Sequence, residues 1–421
     1  VTFRKSLPQG RSLAIPAVVA VLAAGCAPGP VESQAKPGGR SFTVAAAGDV
    51  LIHPELVDQA AKDAEKTGEG EAGLDFGPML AGLEPVISKA DLGICHMETP
   101  VGEPEGPFEG YPEFLVPPQV LTALKDVGYD TCSTASNHTF DHGLKAVRRT
   151  LDTMDEVGLG HSGSARTPKE AEQITIRNVK GVKVAHLSYS WESFLNPTPE
   201  KERWAFNRLS TDAIKKAEAR ARKQGAEVVI LSLHWGLEHY NEPSVPQMQL
   251  ADRITKETGI DLVIGHHAHV VQPIQKLNGT WVAYSLGNQV ARHSSPTGLT
   301  EEGAIGWFEF RETAGGWDVA ARYRTTLVDI PPEVETGEQV PEGAVQDHRL
   351  VDVRQVLDEP GELSEDRLAR YRLAADRTRG FLFNRGLREA TASPSSPSGR
   401  ERRHSTLHSG GRNPGVIEKS Q

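Results

Sequence analysis

Ile260-Asp261-Leu262-Val263-Ile264-Gly265-His266-His267-Ala268-His269 is the stretch on which the reading of this chain turns. Ile260 to Ile264 is a short apolar run with the make-up of a buried strand, and a glycine and three histidines follow at its carboxyl end. His267 and His269 are two apart, so in an extended segment both imidazoles face the same way. Two neutral imidazoles on one face can grip a transition metal. Taken alone, the run also fits three solvated loop histidines. The metal reading gains because four other predicted strands also end in ligand-type residues.

Working outward, Phe42 to Ala47 reads as a strand ending in Gly48-Asp49. Asp91 to Cys95 is a strand ending in His96-Met97-Glu98, and Tyr129 to Thr134 one ending in Ser136-Asn137-His138. Glu227 to Leu233 runs into His234-Trp235-Gly236, and Trp281 to Ser285 into Leu286-Gly287-Asn288. Helical patterns lie between them: Pro118 to Val127 stopped by Gly128, Asp141 capping a helix to about Glu156, Thr211 to Gln224, and Gln247 to Glu257. The segment 61–73, rich in Glu and Gly, reads as surface. Ile174 to Asn178 and Val182 to Ser188 read as a hairpin, and Gly306 to Arg311 with Trp317 to Leu327 as a closing antiparallel pair. Repeated helix–glycine–strand units make the class α/β, with a largely parallel core and antiparallel additions.

In open α/β sheets, sites form beyond the carboxyl ends of the strands. Asp49, Glu98, Asn137, His138, His234, His267 and His269 are therefore placed to converge, although they span more than two hundred positions. Carboxylate, amide and imidazole donors together suit Zn, Mn or Fe in a pair of sites. Each residue also has a plain alternative: Asp49 closing a turn, Asn137 capping, His234 a satisfied core histidine.

Composition bounds the rest. Of 421 residues, 38% are hydrophobic and 24% charged, which is ordinary for a globular protein. The net charge of -10 argues against nucleic acid as the main partner. Arg4, Lys5 and Arg11 precede an apolar stretch, Leu13 to Ala24, and then Gly25-Cys26. This is the pattern of a secretory signal, residues 1–26, and small residues before a cysteine resemble a bacterial lipobox, in which Cys26 would take a lipid and tether the chain to a membrane outside the cytoplasm. A plain cleaved signal with an incidental Cys26 is the alternative. Residues 27–41 read as a flexible tether, 42–330 as the main domain, 331–388 as an extension with one helix from Ser364 to Phe383, and 389–421 as a disordered tail. Cys95 and Cys132 read as two buried small residues rather than a disulfide.

As a set, Gly48-Asp49, Met97-Glu98-Thr99-Pro100, Asn137-His138-x-x-Asp141-x-Gly143, His234-Trp235-Gly236-x-Glu238, Gly265-His266-His267-x-His269-Val270-x-Gln272-Pro273 and Tyr284-Ser285-Leu286-Gly287-Asn288 resemble the CapA family, the poly-γ-glutamate capsule synthesis type. The match spans roughly residues 42–329. The resemblance implies a calcineurin-like metallophosphatase fold, a four-layer αββα sandwich with two mixed sheets and two divalent ions. It implies Asp49 and His269 on the first ion, Glu98 bridging, and Asn137, His234 and His267 on the second. His138 would protonate a leaving group, with Asp141 either orienting it or capping a helix. An anionic capsule polymer or a phosphorylated substrate would be the partner. Alternatives are an extracellular metal-dependent phosphoesterase and a catalytically silent polymer-binding lipoprotein.

The chain departs from the family pattern at several positions. His53 lies four residues after Asp49, where metallophosphatases have a histidine two residues on, so it is a ligand or a helix-start surface histidine. His96 replaces a more usual asparagine and is an extra polar group. His266 stands at a usual glycine and opens an alternative register in which it is the ligand. Glu238 supports the site from behind or is solvated. Arg292 and His293 are candidates for meeting an anionic substrate.

Overall fold

The first strand of the computed structural model, which describes residues 38–191, 196–293, 297–332 and 343–383, is β1, Ser41–Val50. Val44 and Ala46 face one way and Ala45 and Ala47 the other, and all four are buried, so the strand is covered on both faces. After it come α1 (Pro54–Thr67), the short α2 (Gly77–Leu80) and α3 (Glu84–Ile87), β2 (Leu92–Met97), α4 (Gln119–Val127), β3 (Thr131–Ser133), α5 (Gly143–Glu156), β4 (Gly160–Ser162) and α6 (Pro168–Ala171). The chain continues through β5 (Thr175–Val179), β6 (Val182–Ser190), α7 (Thr211–Lys223), β7 (Val228–His234), α8 (Val245–Glu257) and β8 (Leu262–His266). It ends with β9 (Ile274–Leu277), β10 (Thr280–Ala283), β11 (Asn288–Val290), β12 (Glu302–Thr313), β13 (Gly316–Asp329), β14 (Arg349–Asp352), α9 (Val353–Asp358) and α10 (Glu365–Phe383).

Among the described residues the strands form two mixed sheets. One has the order β14-β13-β12-β1-β2-β3-β4, with β11 also paired to β1; the other is β5-β6-β7-β8-β10-β9. In the first sheet β1 to β4 run parallel, and β12 to β14 extend it antiparallel. In the second, β6, β7, β8 and β10 are parallel, with β5 and β9 antiparallel at the edges.

The apolar alternation of the strands fixes the layering. Val44, Ala46, Leu92 and Ile94 of one sheet meet Val184, Val228, Ile230, Leu262 and Ile264 of the other in a dry layer between them. The opposite faces take helices. Leu56 of α1, Leu124 of α4 and Leu151 of α5 cover the first sheet, while Ile214 and Ala217 of α7 and Ile254 of α8 cover the second. This is the four-layer arrangement expected from the sequence, and it leaves the parallel strands of both sheets ending at one rim.

Two glycines let the rim close. A Cβ on Gly48 would sit 1.9 Å from the Gly287 carbonyl oxygen, and one on Gly265 1.9 Å from the Tyr284 oxygen. Each stands directly before a site residue, Asp49 or His266, where neighbouring backbones approach too closely for a side chain.

Several expectations need correction. Cys95 and Cys132 are directly opposed on β2 and β3, with Cα atoms 4.4 Å apart, and form a disulfide. Their separation of 37 residues in sequence conceals that adjacency. The segment 61–73 is not all surface: α1 runs to Thr67, and Asp63 is buried against Arg349, with Arg349 Nη2 donating to Asp63 Oδ1 at 2.7 Å. The extension holds more than one helix, since β14 lengthens the first sheet and α9 and α10 pack on β13 around Leu327, Val353 and Tyr371. The Cys26 lipobox, most of the tether and the 389–421 tail lie outside the described residues. Among the described residues no helix is long and apolar enough to cross a membrane.

Candidate metal centre

Asp49 is the penultimate residue of β1, fully buried. Its Oδ2 accepts from the His267 backbone N–H at 3.0 Å and lies 3.3 Å from His269 Nδ1, while Oδ1 is 3.1 Å from His266 Nδ1. Burial alone would push its carboxyl up, but the hydrogen bonds from His266 and His269 outweigh it and hold the group well below its ordinary value. Glu98, one residue beyond β2, is also buried, and neither of its carboxylate oxygens has a hydrogen-bond partner. Burial pushes Glu98 up to about 7, against the pull of His269. His269 itself is driven up to about 10: burial opposes its charge, but Glu98 and Asp49 overcome that. Two buried carboxylates, with the Glu98 oxygens left without a hydrogen-bond partner, form a site whose donors could hold a cation.

The histidines after β8 depart from the extended geometry expected of them. His267 and His269 have φ of 90° and 55°, in the left-handed region, and their ring centroids are 6.1 Å apart at 60°. The rings therefore diverge to serve two places instead of sharing one face. His269 points to Asp49 and Glu98, with its Nε2 3.7 Å from Glu98 Oε1, and its Nδ1 lies 3.0 Å from Asn288 Oδ1. His267 turns to His234, ring to ring at 4.5 Å, and burial holds it down to about 4.

His234 ends β7. Its Nε2 lies 2.8 Å from Asn137 Oδ1 and 3.9 Å from Glu98 Oε1, and burial lowers its pKa well below 6.5. Two groups able to hold a metal ion result, Asp49–Glu98–His269 and Glu98–His234–His267, and they share Glu98. Among the described residues two more sets satisfy the same spacing, Glu238–His267–His269 and Asp49–His96–His266. In the last, the His96 and His266 rings are stacked 4.0 Å apart at 17°, so their in-plane lone pairs run parallel and do not converge. Glu238, with its side chain 47% exposed, lies at the mouth, its Oε1 3.9 Å from His267 Nε2.

His138 stands beside this cluster. Its Nδ1 is 2.7 Å from Asp141 Oδ2, which also accepts from the Phe114 N–H at 2.8 Å, while Asp141 Oδ1 accepts from Asn196 Nδ2 at 3.2 Å. Asp141 is thus engaged with His138 and does not cap a helix; the residue before α5 is His142, which makes no side-chain cap. Burial works against the His138 charge, but the Asp141 bond and the Glu98 charge raise its pKa above 6.5.

His53 precedes α1 as expected but is largely buried, and burial lowers its pKa to about 4. Among the described residues it belongs to none of the metal-capable groups. Its ring meets His293 at 4.9 Å, and His293 meets His269 at 4.9 Å, so His293 does reach the cluster. The Arg292 guanidinium donates to the His293 carbonyl at 3.0 Å. Asn288, Asn196 and Ser133 carried no assigned role in the sequence. Asn288 shared the strand-end signal of the ligands, whereas Asn196 and Ser133 are marked only by the folded geometry.

The fold and site together define a two-sheet α/β sandwich with a carboxylate–histidine cluster where its parallel strands end. Residues 43–293 match the family described as bacterial capsule synthesis protein PGA_cap, and the chain belongs to that family. It is 28% identical over 255 residues to the PGA biosynthesis protein CapA of Bacillus subtilis, covering 59% of this chain and 64% of that protein. It is 31% identical over 175 residues to the capsule biosynthesis protein CapA of Bacillus anthracis, covering 41% and 42%. The chain thus spans less than two thirds of the length of these relatives. Among solved structures, the calcineurin-like phosphoesterase YfkN of Bacillus subtilis aligns over 81% of this chain and 99% of that one, at 13% identity and a TM-score of 0.35.

Proposed function

We propose that this chain is a membrane-tethered capsule-polymer protein, lipidated at Cys26, whose strand ends hold two divalent cations, Mn, Zn or Fe, with Glu98 between them. One observation carries the metal part: two donor groups share Glu98, whose two oxygens are buried without a hydrogen-bond partner. Asp49, Glu98 and His269 would hold one ion, and Glu98, His234 and His267, with the Asn137 oxygen, the other. Family membership supports the capsule part, and the relatives' names point to PGA as the polymer. The disulfide supports a location outside the cytoplasm. For a chain of net charge -10, bound cations would also reverse the local sign toward an anionic polymer or a phosphorylated substrate.

A cation pair supplies, when bound, Lewis acidity toward a phosphoryl or acyl oxygen and makes a nearby water more acidic. The protein's own residues do the rest. Asp141 fixes the His138 ring through Nδ1, so the His138 proton on Nε2 is free to go to a leaving-group oxygen. His293 and Glu238 line the approach beside His269 and His267.

This dyad favours turnover over silent polymer binding, so a metal-dependent phosphoesterase is the second reading. The test is metal analysis of the purified chain, followed by phosphate-ester hydrolysis with added Mn or Zn. The expected outcome is bound metal and a turnover that falls roughly 10²–10⁴-fold in His138→Ala with metal content unchanged. Tight polyglutamate binding with no turnover in the metal-loaded protein would leave the polymer reading and remove the hydrolase.

A further inference from the structure

His96 belongs to a buried line that runs away from the cluster. Its Nε2 is 3.0 Å from His234 Nδ1, and its Nδ1 is 2.7 Å from Ser133 Oγ. Ser133 Oγ in turn lies 3.4 Å from the Cys95 carbonyl oxygen. At the other end, His234 Nε2 faces Asn137 Oδ1. One end of the line is a backbone carbonyl, which can only accept; the other is the candidate metal centre.

A neutral imidazole has one N–H and one lone pair, so the line has two self-consistent settings. In the first, the Ser133 hydroxyl donates to His96 Nδ1, His96 Nε2–H donates to His234 Nδ1, and His234 Nε2–H donates to Asn137. No imidazole lone pair of the line then faces the cluster. In the second, the Ser133 hydroxyl turns to the Cys95 carbonyl, His96 Nδ1–H donates to Ser133, and His234 Nδ1–H donates to His96. His234 Nε2 is then a bare lone pair beside the Asn137 oxygen. Both settings carry three protons and no net charge.

Only the second setting can receive a cation. We propose that His96, seated on Ser133, is the positioning residue that selects the metal-binding tautomer of His234. The inference rests on the metal reading of the site. Two features hold the line in place. The His266 ring stacks on His96 and fixes its plane, and the Cys95–Cys132 disulfide pins the strands whose next residues are His96 and Ser133. A second-layer partner of this kind commonly changes metal affinity 10–100-fold.

The experiment titrates Zn(II) into the full chain by calorimetry, comparing wild type with His96→Leu, His96→Gln and Ser133→Ala, each checked for an intact melting transition. Leucine removes the acceptor for His234 Nδ1–H, whereas glutamine puts a side-chain oxygen near the former Nε2. His96→Leu is expected to weaken one zinc event 10–100-fold, His96→Gln to recover most of it, and Ser133→Ala to weaken it in the same direction, which covers the case of a misfolded leucine variant. Histidine nitrogen NMR of the zinc-loaded wild type should show both His96 and His234 protonated at Nδ1. Equal zinc affinity in wild type, His96→Leu and Ser133→Ala overturns the inference, as does His96 protonated at Nε2 in the loaded protein. Wild type that takes up no zinc removes the metal reading and the inference together, an outcome distinct from equal loading of all variants.

Discussion

Glu98 is the residue on which the site's energetics turn. A carboxylate with two unpartnered buried oxygens beside a second buried carboxylate destabilises the metal-free fold. Glu98→Gln removes one charge and keeps the shape. The metal-free variant is expected to be more stable than wild type by about 1–3 kcal/mol, while the rise in melting temperature expected of wild type with Zn or Mn is lost. Calorimetric melts with and without metal read both effects. A variant that is less stable without metal, or still stabilised by it, would remove Glu98 from the bridging position.

At the scale of elements, the strands and helices were legible because apolar runs of strand length alternate with helical patterns stopped by glycine. Gly128, with φ of 115°, ends α4 where the sequence placed the stop. The strand-end residues could be found for the same reason: a parallel strand delivers its last side chains to a common rim. Two features stayed hidden, the first because it depends on neighbours distant in sequence and the second because it depends on the local backbone conformation. Cys95 and Cys132 are opposed only once β2 pairs with β3. His267 and His269 diverge only because their backbone turns left-handed. Asp141, which the sequence offers either as a helix cap or as the partner of His138, takes the second place and also accepts from the Phe114 N–H. The disulfide closes a long loop across a pair in which β3 has only three residues. Replacing Cys95 and Cys132 by alanine is expected to lower stability by about 2–4 kcal/mol. Reductant should then destabilise wild type and leave the double variant untouched in chemical denaturation; equal reductant sensitivity would contradict a stapling role.

For the whole molecule, the dry layer between the sheets holds a histidine that must stay neutral. His186 on β6 is buried, with Nε2 3.0 Å from Ser232 Oγ, and burial lowers its pKa from 6.5 to about 3. The folded value lies below the unfolded one, so above pH 6.5 the group imposes no penalty, and stability is lost as pH falls from 6.5 toward 3. At about 1.4 kcal/mol per unit the loss is on the order of a few kcal/mol. Denaturation midpoints followed from pH 7 to pH 4 should fall more steeply in wild type than in His186→Gln, and parallel slopes would contradict the assignment. The same scale shows why the main domain's outline was easier to read than its attachments: β14, α9 and α10 are held by contacts such as Tyr371 Oη donating to Asp329 Oδ2 at 2.7 Å, which no local periodicity announces.

Asp49, Glu98 and Asn137 come from one sheet and its loops, and His234, His267 and His269 from the other. An ion bound among them would work as a rivet through the seam, so docking the halves and completing the centre would become one event. Were the chain to fold only after export, the ion would be drawn from the compartment in which folding finishes, and the metals on offer there would decide which one it takes.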